Sequence, residues 1–100
     1  MNLIKIGMSG TMESSDINII IGPSDEDVIS IDLKSSVEKQ FGRQIRKVIR
    51  DILKEHNITS ANIKAVDKGA IDYVIRARTE TAIYRAADRI DYIWECDKDV

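Results

Sequence analysis

Hydrophobic residues follow a period of two in the first third of the chain. Residues 3–8 place Ile4, Ile6 and Met8 on one face, and residues 17–21 are rich in β-branched side chains. Residues 29–34 alternate strictly between apolar and polar positions. These patterns are typical of strands, and the third predicts a half-buried antiparallel strand. A turn rich in glycine, proline and aspartate at 22–27 predicts that the second and third strands form a hairpin.

At residue 35 the spacing of apolar residues changes to three and four. This spacing predicts an amphipathic helix from about residue 36 to His56, with Asn57 as its C-terminal cap. Ser35 and Glu38 fit a capping box at the start of this helix. The predicted buried face consists of Val37, Phe41, Ile45, Val48, Ile49, Ile52 and Leu53.

The second half of the chain predicts a short strand at 63–66, a turn at 67–70 and another helix from 71 to about 89. Residues 73–75 also fit a strand. The predicted buried residues of the second helix are Ile71, Val74, Ile75, Ala82, Ile83 and Ala86. The order β-β-β-α-β-α favours an α+β fold, a two-layer sandwich in which two helices cover a mostly antiparallel sheet of about four strands.

Length and composition indicate one soluble globular domain spanning residues 1–100. The chain has 100 residues, of which 43% are hydrophobic and 32% charged, and no apolar run approaches a membrane span. Residues from about 90 to 100 either form a mobile tail or are held to the body through Tyr92, Ile93 and Trp94. Cys96 is the single cysteine, so no internal disulfide forms and a cytoplasmic location is expected.

Charge is unevenly distributed. Residues 1–35 hold six acids and two bases, whereas residues 36–100 hold eleven acids and thirteen bases. Four of these bases share one side of the first predicted helix, and we call them the basic stripe: Arg43, Lys47, Arg50 and Lys54. The ordinary interpretation is a solvent-facing helix surface, and the functional one is contact with phosphates or an acidic partner.

The basic stripe allows the hypothesis of a small RNA-binding α+β module. The net charge of −2, the 5% aromatic content and the absence of a Gly-x-x-Gly loop argue against it. Catalysis is also not indicated, because the sequence has no Gly-rich phosphate loop, zinc-type Cys/His spacing or nucleophile elbow. The lone His56 is expected to be exposed at a helix end. We therefore predict no catalytic residue and no metal site.

The stretch "GTMESSD" at residues 10–16 lies between the first two predicted strands. Ser14 and Ser15 there have two interpretations. Serines commonly shape turns by bonding to nearby backbone. Alternatively, one hydroxyl is modified, which requires an exposed side chain on a mobile segment that an enzyme can reach. The residues alone leave both interpretations open.

Three stretches together resemble a known family: "GTMESSD", "SSVEKQFG" at 35–42 and "DKGAIDYVIRAR" at 67–78. They are similar to the acyl carrier protein (gamma) subunit of citrate lyase over nearly the whole chain. The resemblance implies that Ser14, with Ser15 as second choice, carries phosphoribosyl-dephospho-CoA through a phosphodiester. It also implies a non-catalytic subunit whose arm holds acetyl as a thioester. The alpha subunit then exchanges acetyl for citryl, releasing acetate, and the beta subunit cleaves citryl to oxaloacetate.

The resemblance further implies three partners: the citrate lyase alpha and beta subunits and the transferase that attaches the arm. We expect Arg43, Lys47 and Arg50 to dock one of these partners, and we expect no nucleic acid or membrane partner. Carriers of malonate decarboxylase use the same kind of arm and are the alternative family, although "SSVEKQFG" favours citrate lyase. A purely structural subunit would assemble with partners but carry no arm.

Overall fold

The computed structural model describes residues 1–88, and these form the predicted α+β sandwich. The elements are β1 (Gly7–Ser9), β2 (Ile17–Gly22), β3 (Ile29–Ser35), α1 (Glu38–Glu55), β4 (Ala61–Asp67) and α2 (Asp72–Ala86). The predicted order and both helices are confirmed, and residues 73–75 are helical rather than extended. The predictions for residues 90–100, including Cys96, lie outside the described residues.

Within residues 1–88 the sheet has the strand order β1-β2-β4-β3. The β1–β2 and β2–β4 pairs are antiparallel, whereas β3 and β4 are parallel. The predicted hairpin of β2 with β3 is therefore wrong, because β4 lies between them. The helix α1 supplies the long crossover that parallel pairing of β3 with β4 requires.

The hydrophobic pattern explains why β4 is central. In its register Ile63 lies beside Ile21 on one side and Ile31 on the other, and Ala65 likewise lies between Ile19 and Leu33. These rows form one apolar face, which packs against both helices. The opposite face carries exposed polar residues such as Asp32 and Lys64, so the molecule has two layers.

The helices bury one face each against this sheet. In α1 the buried residues are Gly42, Ile45, Val48, Ile49, Ile52 and Leu53. In α2 they are Ile75, Thr79, Ala82, Ile83 and Ala86. Two predicted core residues lie near the helix starts and are exposed instead: Phe41 is 50% exposed and Ile71 is 68% exposed.

The apolar face predicted for residues 3–8 is also exposed. Ile4, Ile6 and Met8 are 64%, 72% and 55% exposed, whereas Gly7 and Ser9 are buried. The reason is the close approach of α2 to β1. A Cβ atom on Gly7 would lie 2.3 Å from the carbonyl oxygen of Ala82, so only glycine fits on the helix-facing side.

The predicted capping box of α1 does not form. Ser35 still belongs to β3, and its hydroxyl donates to Asp67 Oδ2 at 2.8 Å while it accepts from the Val37 N–H at 3.1 Å. The helix begins at Glu38, and Val37 is its N-terminal cap residue without a capping side chain. Ser35 therefore does not cap α1, because it belongs to β3 and its hydroxyl is bonded to Asp67.

The C-terminal end of α1 agrees with the prediction. Asn57 has a φ of 58°, and its N–H donates to the Lys54 carbonyl at 3.0 Å. The Ile58 N–H reaches back to the Leu53 carbonyl at 2.9 Å. Together these two bonds form a Schellman motif, for which asparagine in the left-handed region is suited.

His56 links the two helices and is not the exposed residue that we expected. Its side chain is only 14% exposed, and its Nε2 lies 3.1 Å from Glu80 Oε2 of α2. The ring also packs edge-on against Tyr84, with a centroid separation of 5.3 Å. These contacts give His56 a structural role between α1 and α2.

Candidate functional site at the serine turn

Residues of all three quoted motifs lie close together at one end of the sheet, which we call the serine end. Residues 10–16 connect the end of β1 to the start of β2. Asp67 at the end of β4 pairs with Ile17 of β2 and with Ser35 of β3. The ends of β3 and β4 therefore lie here, and both helices begin just beyond them.

The two serines occupy a tight turn at residues 13–16, which we call the serine turn. The Asp16 N–H donates to the Glu13 carbonyl at 3.2 Å, and Ser15 has a φ of 66°. A positive φ at the third turn position is typical of a type II turn, with Ser14 at the outer corner. Both serines are exposed, and the Ser14 hydroxyl makes no hydrogen bond to any described residue.

The carboxylate of Asp16 is the centre of the hydrogen bonds below the serine turn. Its Oδ2 accepts from the Thr11 N–H at 3.1 Å, from the Thr11 hydroxyl at 2.7 Å and from Arg78 Nη2 at 2.9 Å. Its Oδ1 accepts from the Ile17 N–H at 2.7 Å and from Arg78 Nε at 3.0 Å. Arg78 of α2 thus binds this carboxylate with both ends of its guanidinium fork.

These contacts keep the Asp16–Arg78 pair charged. Hydrogen bonds from Arg78, and next from Thr11, hold the pKa of Asp16 well below its usual range. The same bond to Asp16 raises the pKa of Arg78. The Asp16 side chain is only 12% exposed, so the pair is partly shielded from solvent. At neutral pH the serine turn therefore rests on a permanent ion pair.

Backbone contacts also attach the loop to the body. The Ser15 N–H donates to the Lys68 carbonyl at 2.8 Å, and the Lys68 N–H donates to the Asp16 carbonyl at 2.9 Å. The side chain of Asn18 donates to the Gly10 carbonyl at 3.1 Å. We expected an exposed hydroxyl on a mobile segment. The hydroxyl is exposed, but these bonds hold the backbone of the loop to Lys68, just after β4, and to Asn18 of β2.

Gly10 allows the chain to enter this loop. Its φ is 92°, and a Cβ atom there would lie 1.8 Å from the Ile17 carbonyl oxygen. No side chain can occupy that space, because both the left-handed backbone and the close approach require glycine. The first residue of the "GTMESSD" motif is thus explained by geometry.

The residues that hold the turn were not predicted. Asp16 and Arg78 each lie within a quoted motif, in "GTMESSD" and "DKGAIDYVIRAR", but they are 62 positions apart. No periodicity connects a loop aspartate to a helix arginine at that distance. The only local signal was an aspartate following two serines, which indicates a turn.

The basic stripe lies on the exposed side of α1, as predicted, and is separate from the serine turn. Arg43 is in the second turn of α1 and so is nearest the serine end, while Arg50 and Lys54 lie further along the helix. Lys47 pairs with Asp51, with Nζ 2.8 Å from Oδ2. Arg43 and Arg50 form no ion pair with a described residue, which leaves them available to a partner.

Comparison with known proteins identifies the family. Residues 5–86 match the acyl carrier protein family described as malonate decarboxylase delta subunit (MdcD). The citrate lyase acyl carrier protein of Streptococcus mutans serotype c is 50% identical over 95 residues, covering 95% of this chain and 93% of that protein. This chain belongs to the citrate lyase acyl carrier protein family. The predicted resemblance is confirmed.

Further relatives agree. The citrate lyase acyl carrier protein of Fusobacterium nucleatum subsp. nucleatum is 48% identical over 92 residues, covering 92% of this chain and 98% of that protein. A chain in the crystal structure of a Pseudomonas malonate decarboxylase hetero-tetramer in complex with malonate has the same fold, with a TM-score of 0.66. It is 20% identical, and the match covers 83% of this chain and 89% of that one.

Family membership decides between the carrier and RNA-binding hypotheses in favour of the carrier. The chain is a non-catalytic acyl carrier subunit of a multi-subunit lyase complex, and this role implies a covalently bound prosthetic group. In the part of the chain that the structure describes, neither helix is long and apolar enough to cross a membrane.

Proposed function

We propose that Ser14 is the attachment site of this carrier and that the attached group is phosphoribosyl-dephospho-CoA, linked through a phosphodiester. The carrier then serves the alpha and beta subunits of a cytoplasmic citrate lyase during cleavage of citrate to acetate and oxaloacetate. One observation carries this proposal: the hydroxyl of Ser14 is exposed at the outer corner of a fixed turn within the "GTMESSD" motif.

Among the other described serines, Ser30 and Ser36 are also exposed but lie outside the "GTMESSD" motif, and three others fit such a group less well. Ser9 is buried in β1 at 4% exposure. The Ser35 hydroxyl is bonded to Asp67, and the Ser60 hydroxyl donates to the Glu26 carbonyl at 2.6 Å. A large group on Ser14 extends into solvent and displaces no part of the core. Ser15 remains the second choice, because its hydroxyl is also exposed.

When bound, the prosthetic group supplies a thiol on a long arm, which holds acetyl and citryl as thioesters. This chain contributes a fixed attachment point for the arm and no catalytic group. The bonds of Asp16 and Lys68 fix the anchor point, so the arm starts from one defined place on the carrier. Tethering an intermediate near two active sites raises its effective concentration at both.

Docking of the partner subunits or of the transferase is assigned to Arg43, Lys47 and Arg50 in this proposal. Their exposure on α1 supports it, as does the position of Arg43 near the serine end. An acidic patch on a partner is the complementary surface, since charged patches of opposite sign steer and orient association. Arg43 and Arg50 are expected to contribute more than Lys47, which already pairs with Asp51.

A carrier subunit of malonate decarboxylase is the second candidate function. It is favoured by the match of residues 5–86 to the malonate decarboxylase delta subunit description and by the shared fold. The relatives at 48–50% identity over almost the whole chain are citrate lyase carriers, which is why we place citrate lyase first. Identification of the subunits that copurify with the chain separates the two.

The test of Ser14 is the intact mass of the carrier purified from its own source. We expect an increment equal to one phosphoribosyl-dephospho-CoA group, and we expect Ser14→Ala to lose it while retaining the wild-type unfolding curve. Ser24→Ala is the matched control, because Ser24 lies in another exposed loop of the same sheet, and this variant should keep the increment. A fully active carrier of unmodified mass would refute the proposal.

A further inference from the structure

Two adjacent serines at the same turn raise the question of what selects one of them. Ser14 and Ser15 have the same side chain, and both are exposed. Their backbones differ. The N–H of Ser15 is bonded to the Lys68 carbonyl and its φ is 66°, whereas the N–H of Ser14 bonds no described residue. The turn thus holds Ser15 towards β4 and places Ser14 at the corner.

The conformation of Ser15 is unfavourable by itself. A residue with a Cβ atom in the left-handed region is destabilised relative to the right-handed region, and serine has no special tolerance for it. Something outside the serines must therefore hold the turn. The contacts below it identify the cause, because the residue that follows Ser15 is Asp16.

Asp16 fixes the turn to two other parts of the molecule. Through Thr11 its carboxylate holds the start of the loop, with contacts of 2.7 and 3.1 Å. Through Arg78 it is bound to α2, with contacts of 2.9 and 3.0 Å. A bidentate pair of this kind restricts both the position and the orientation of the carboxylate.

We propose that Asp16 and Arg78 are positioning residues for attachment of the arm, which hold the serine turn so that Ser14 rather than Ser15 is presented to the transferase. This inference rests on the proposed function of Ser14. Without the ion pair, the strain at Ser15 can relax by a change of its φ to negative values, and the two hydroxyls then change their orientation.

The step that the pair controls is phosphoryl transfer to a serine. The Oγ of Ser14 attacks the phosphorus of an activated, phosphoanhydride form of the arm. An Oγ–P bond forms, the phosphoanhydride bond breaks, and its electron pair leaves with the phosphate leaving group. The hydroxyl proton passes to a base on the transferase. Because Asp16 is engaged by Thr11 and Arg78, it acts on the position of Ser14 and not as that base.

The test uses the full-length carrier in its unmodified form, the transferase and the activated arm. Attachment is followed by intact mass, and the modified serine is identified by fragmentation of the peptide that contains residues 13–16. The variants are Asp16→Asn, Arg78→Gln and Arg78→Lys. Arg76→Gln is the matched control, because Arg76 lies on the same helix but pairs with Glu55 on the surface.

We expect the kcat/KM of attachment to fall about tenfold to a hundredfold in Asp16→Asn and Arg78→Gln, the range that a displaced reacting group produces. We also expect a measurable share of the product on Ser15, which a loss of stability alone would not produce. Arg78→Lys should recover part of the rate but less of the selectivity, since lysine cannot bind both oxygens through a planar fork. Arg76→Gln should behave as wild type.

Variants that attach the arm at the wild-type rate, or slowly but only on Ser14, would overturn the inference. Circular dichroism and urea unfolding show whether each variant is folded. If Asp16→Asn does not fold, the two Arg78 variants decide the outcome, since Arg78 is 39% exposed and its loss leaves the core intact. A wild-type carrier that receives no arm on Ser14 would instead refute the proposed function.

Discussion

The serine turn and the basic stripe are both exposed, and both are assigned to contacts with other proteins, but they are held in different ways. The basic stripe lies on one helix, and the spacing of its residues along α1 is enough to place them on one side. The serine turn takes its shape from contacts with Thr11, Lys68 and Arg78, which come from the loop, from the residue after β4 and from α2.

This difference has a physical consequence. A helix surface tolerates substitution, because its backbone hydrogen bonds are local and its charged side chains are solvated. A turn held by distant residues depends on each of them. Substitutions of the residues that hold the serine turn, Asp16 and Arg78, should therefore change stability and attachment together, whereas substitutions in the basic stripe should change association alone.

The largest effect is expected at the entrance to the serine turn. Gly10→Ala should lower the free energy of unfolding by about 2–5 kcal/mol, from left-handed strain together with overpacking against Ile17. Gly69→Ala is the matched control. Gly69 has nearly the same φ, 93°, but no atom lies within 4 Å of its added Cβ. Gly69→Ala should therefore lower the free energy of unfolding by only about 1–2 kcal/mol.

Urea unfolding at constant pH measures both glycine variants. Their difference isolates the close approach of Gly10 to β2 from the backbone strain that the two positions share. Equal losses in the two variants would show that the entrance to the serine turn is not tightly packed, and the contrast with the basic stripe would weaken.

The second-largest effect is expected at Asp16, whose contribution to stability should be lost in acid. The pKa of Asp16 is lowered in the folded state from an ordinary value of 3.8, so its contribution is present above that value and is lost as the pH falls below it. At neutral pH, Asp16→Asn should be less stable by about 1–3 kcal/mol, since hydrogen bonds to a charged group are lost. The difference from wild type should shrink as the pH falls.

The measurement is urea unfolding of both proteins from neutral pH down through the ordinary range of aspartate. Asp25→Asn serves as the control, because the Asp25 carboxylate is exposed and bonds no described residue. The free energy of unfolding of Asp25→Asn should change with pH in parallel with that of wild type. If Asp16→Asn also ran parallel to wild type, the ion pair would contribute nothing to the stability of the turn.

A smaller effect of the opposite sign is expected at Ser15. Glycine accepts a φ of 66° without strain, so Ser15→Gly should be neutral or more stable by up to about 1 kcal/mol. Ser14→Gly should lose about 0.5–1 kcal/mol, because the φ of Ser14 is not positive and glycine only adds flexibility there.

Thermal unfolding compares these two glycine variants, and intact mass shows whether Ser15→Gly still receives the arm. We expect full attachment, on Ser14. Loss of the arm from Ser15→Gly would instead move the attachment site to Ser15. A stability loss in that variant would contradict the strain assigned to Ser15.

The smallest effect on stability is expected in the basic stripe. Arg43→Glu and Arg50→Glu should change the free energy of unfolding by less than about 0.5 kcal/mol, as is usual for solvated positions. Association with partner subunits or with the transferase should weaken, most clearly at low salt, where surface charges are least screened. Analytical ultracentrifugation measures association with the partner subunits, and the rate of arm attachment measures the interaction with the transferase.

Lys34→Glu is the control for these charge reversals, because Lys34 is exposed on β3 and outside the basic stripe. It should leave association unchanged. If both stripe variants assembled with their partners and received the arm as wild type does, the docking role of Arg43 and Arg50 would be rejected.

Much of the fold could be predicted from local patterns. The period of two located β2 and β3, the spacing of three and four located both helices, and Asn57 marked the end of α1. The errors arose where a distant contact competed with a local one. Ser35 bonds Asp67 instead of capping α1, and β4 lies between β2 and β3 in place of the predicted hairpin.

The candidate site shows the same division. The motif around Ser14 and its exposure could be predicted, because a polar turn between strands lies on the surface. The ion pair of Asp16 with Arg78 could not, since it joins residues 62 positions apart. The close contact of Gly7 with α2 was likewise not predictable, and neither was the exposure of Ile4 and Ile6 that accompanies it.

The amino-acid sequence by itself determined the elements, their order, the family and the placement of the basic stripe, because each depends on spacing along the chain. Tertiary structure alone decided that β4 is central, that Gly10 and Gly7 admit no side chain, and that the serine turn is held from α2. Those features depend on which surfaces meet once the core is buried. Burial of apolar surface stabilises the arrangement in which the whole chain packs best, and no local pattern of residues specifies that arrangement.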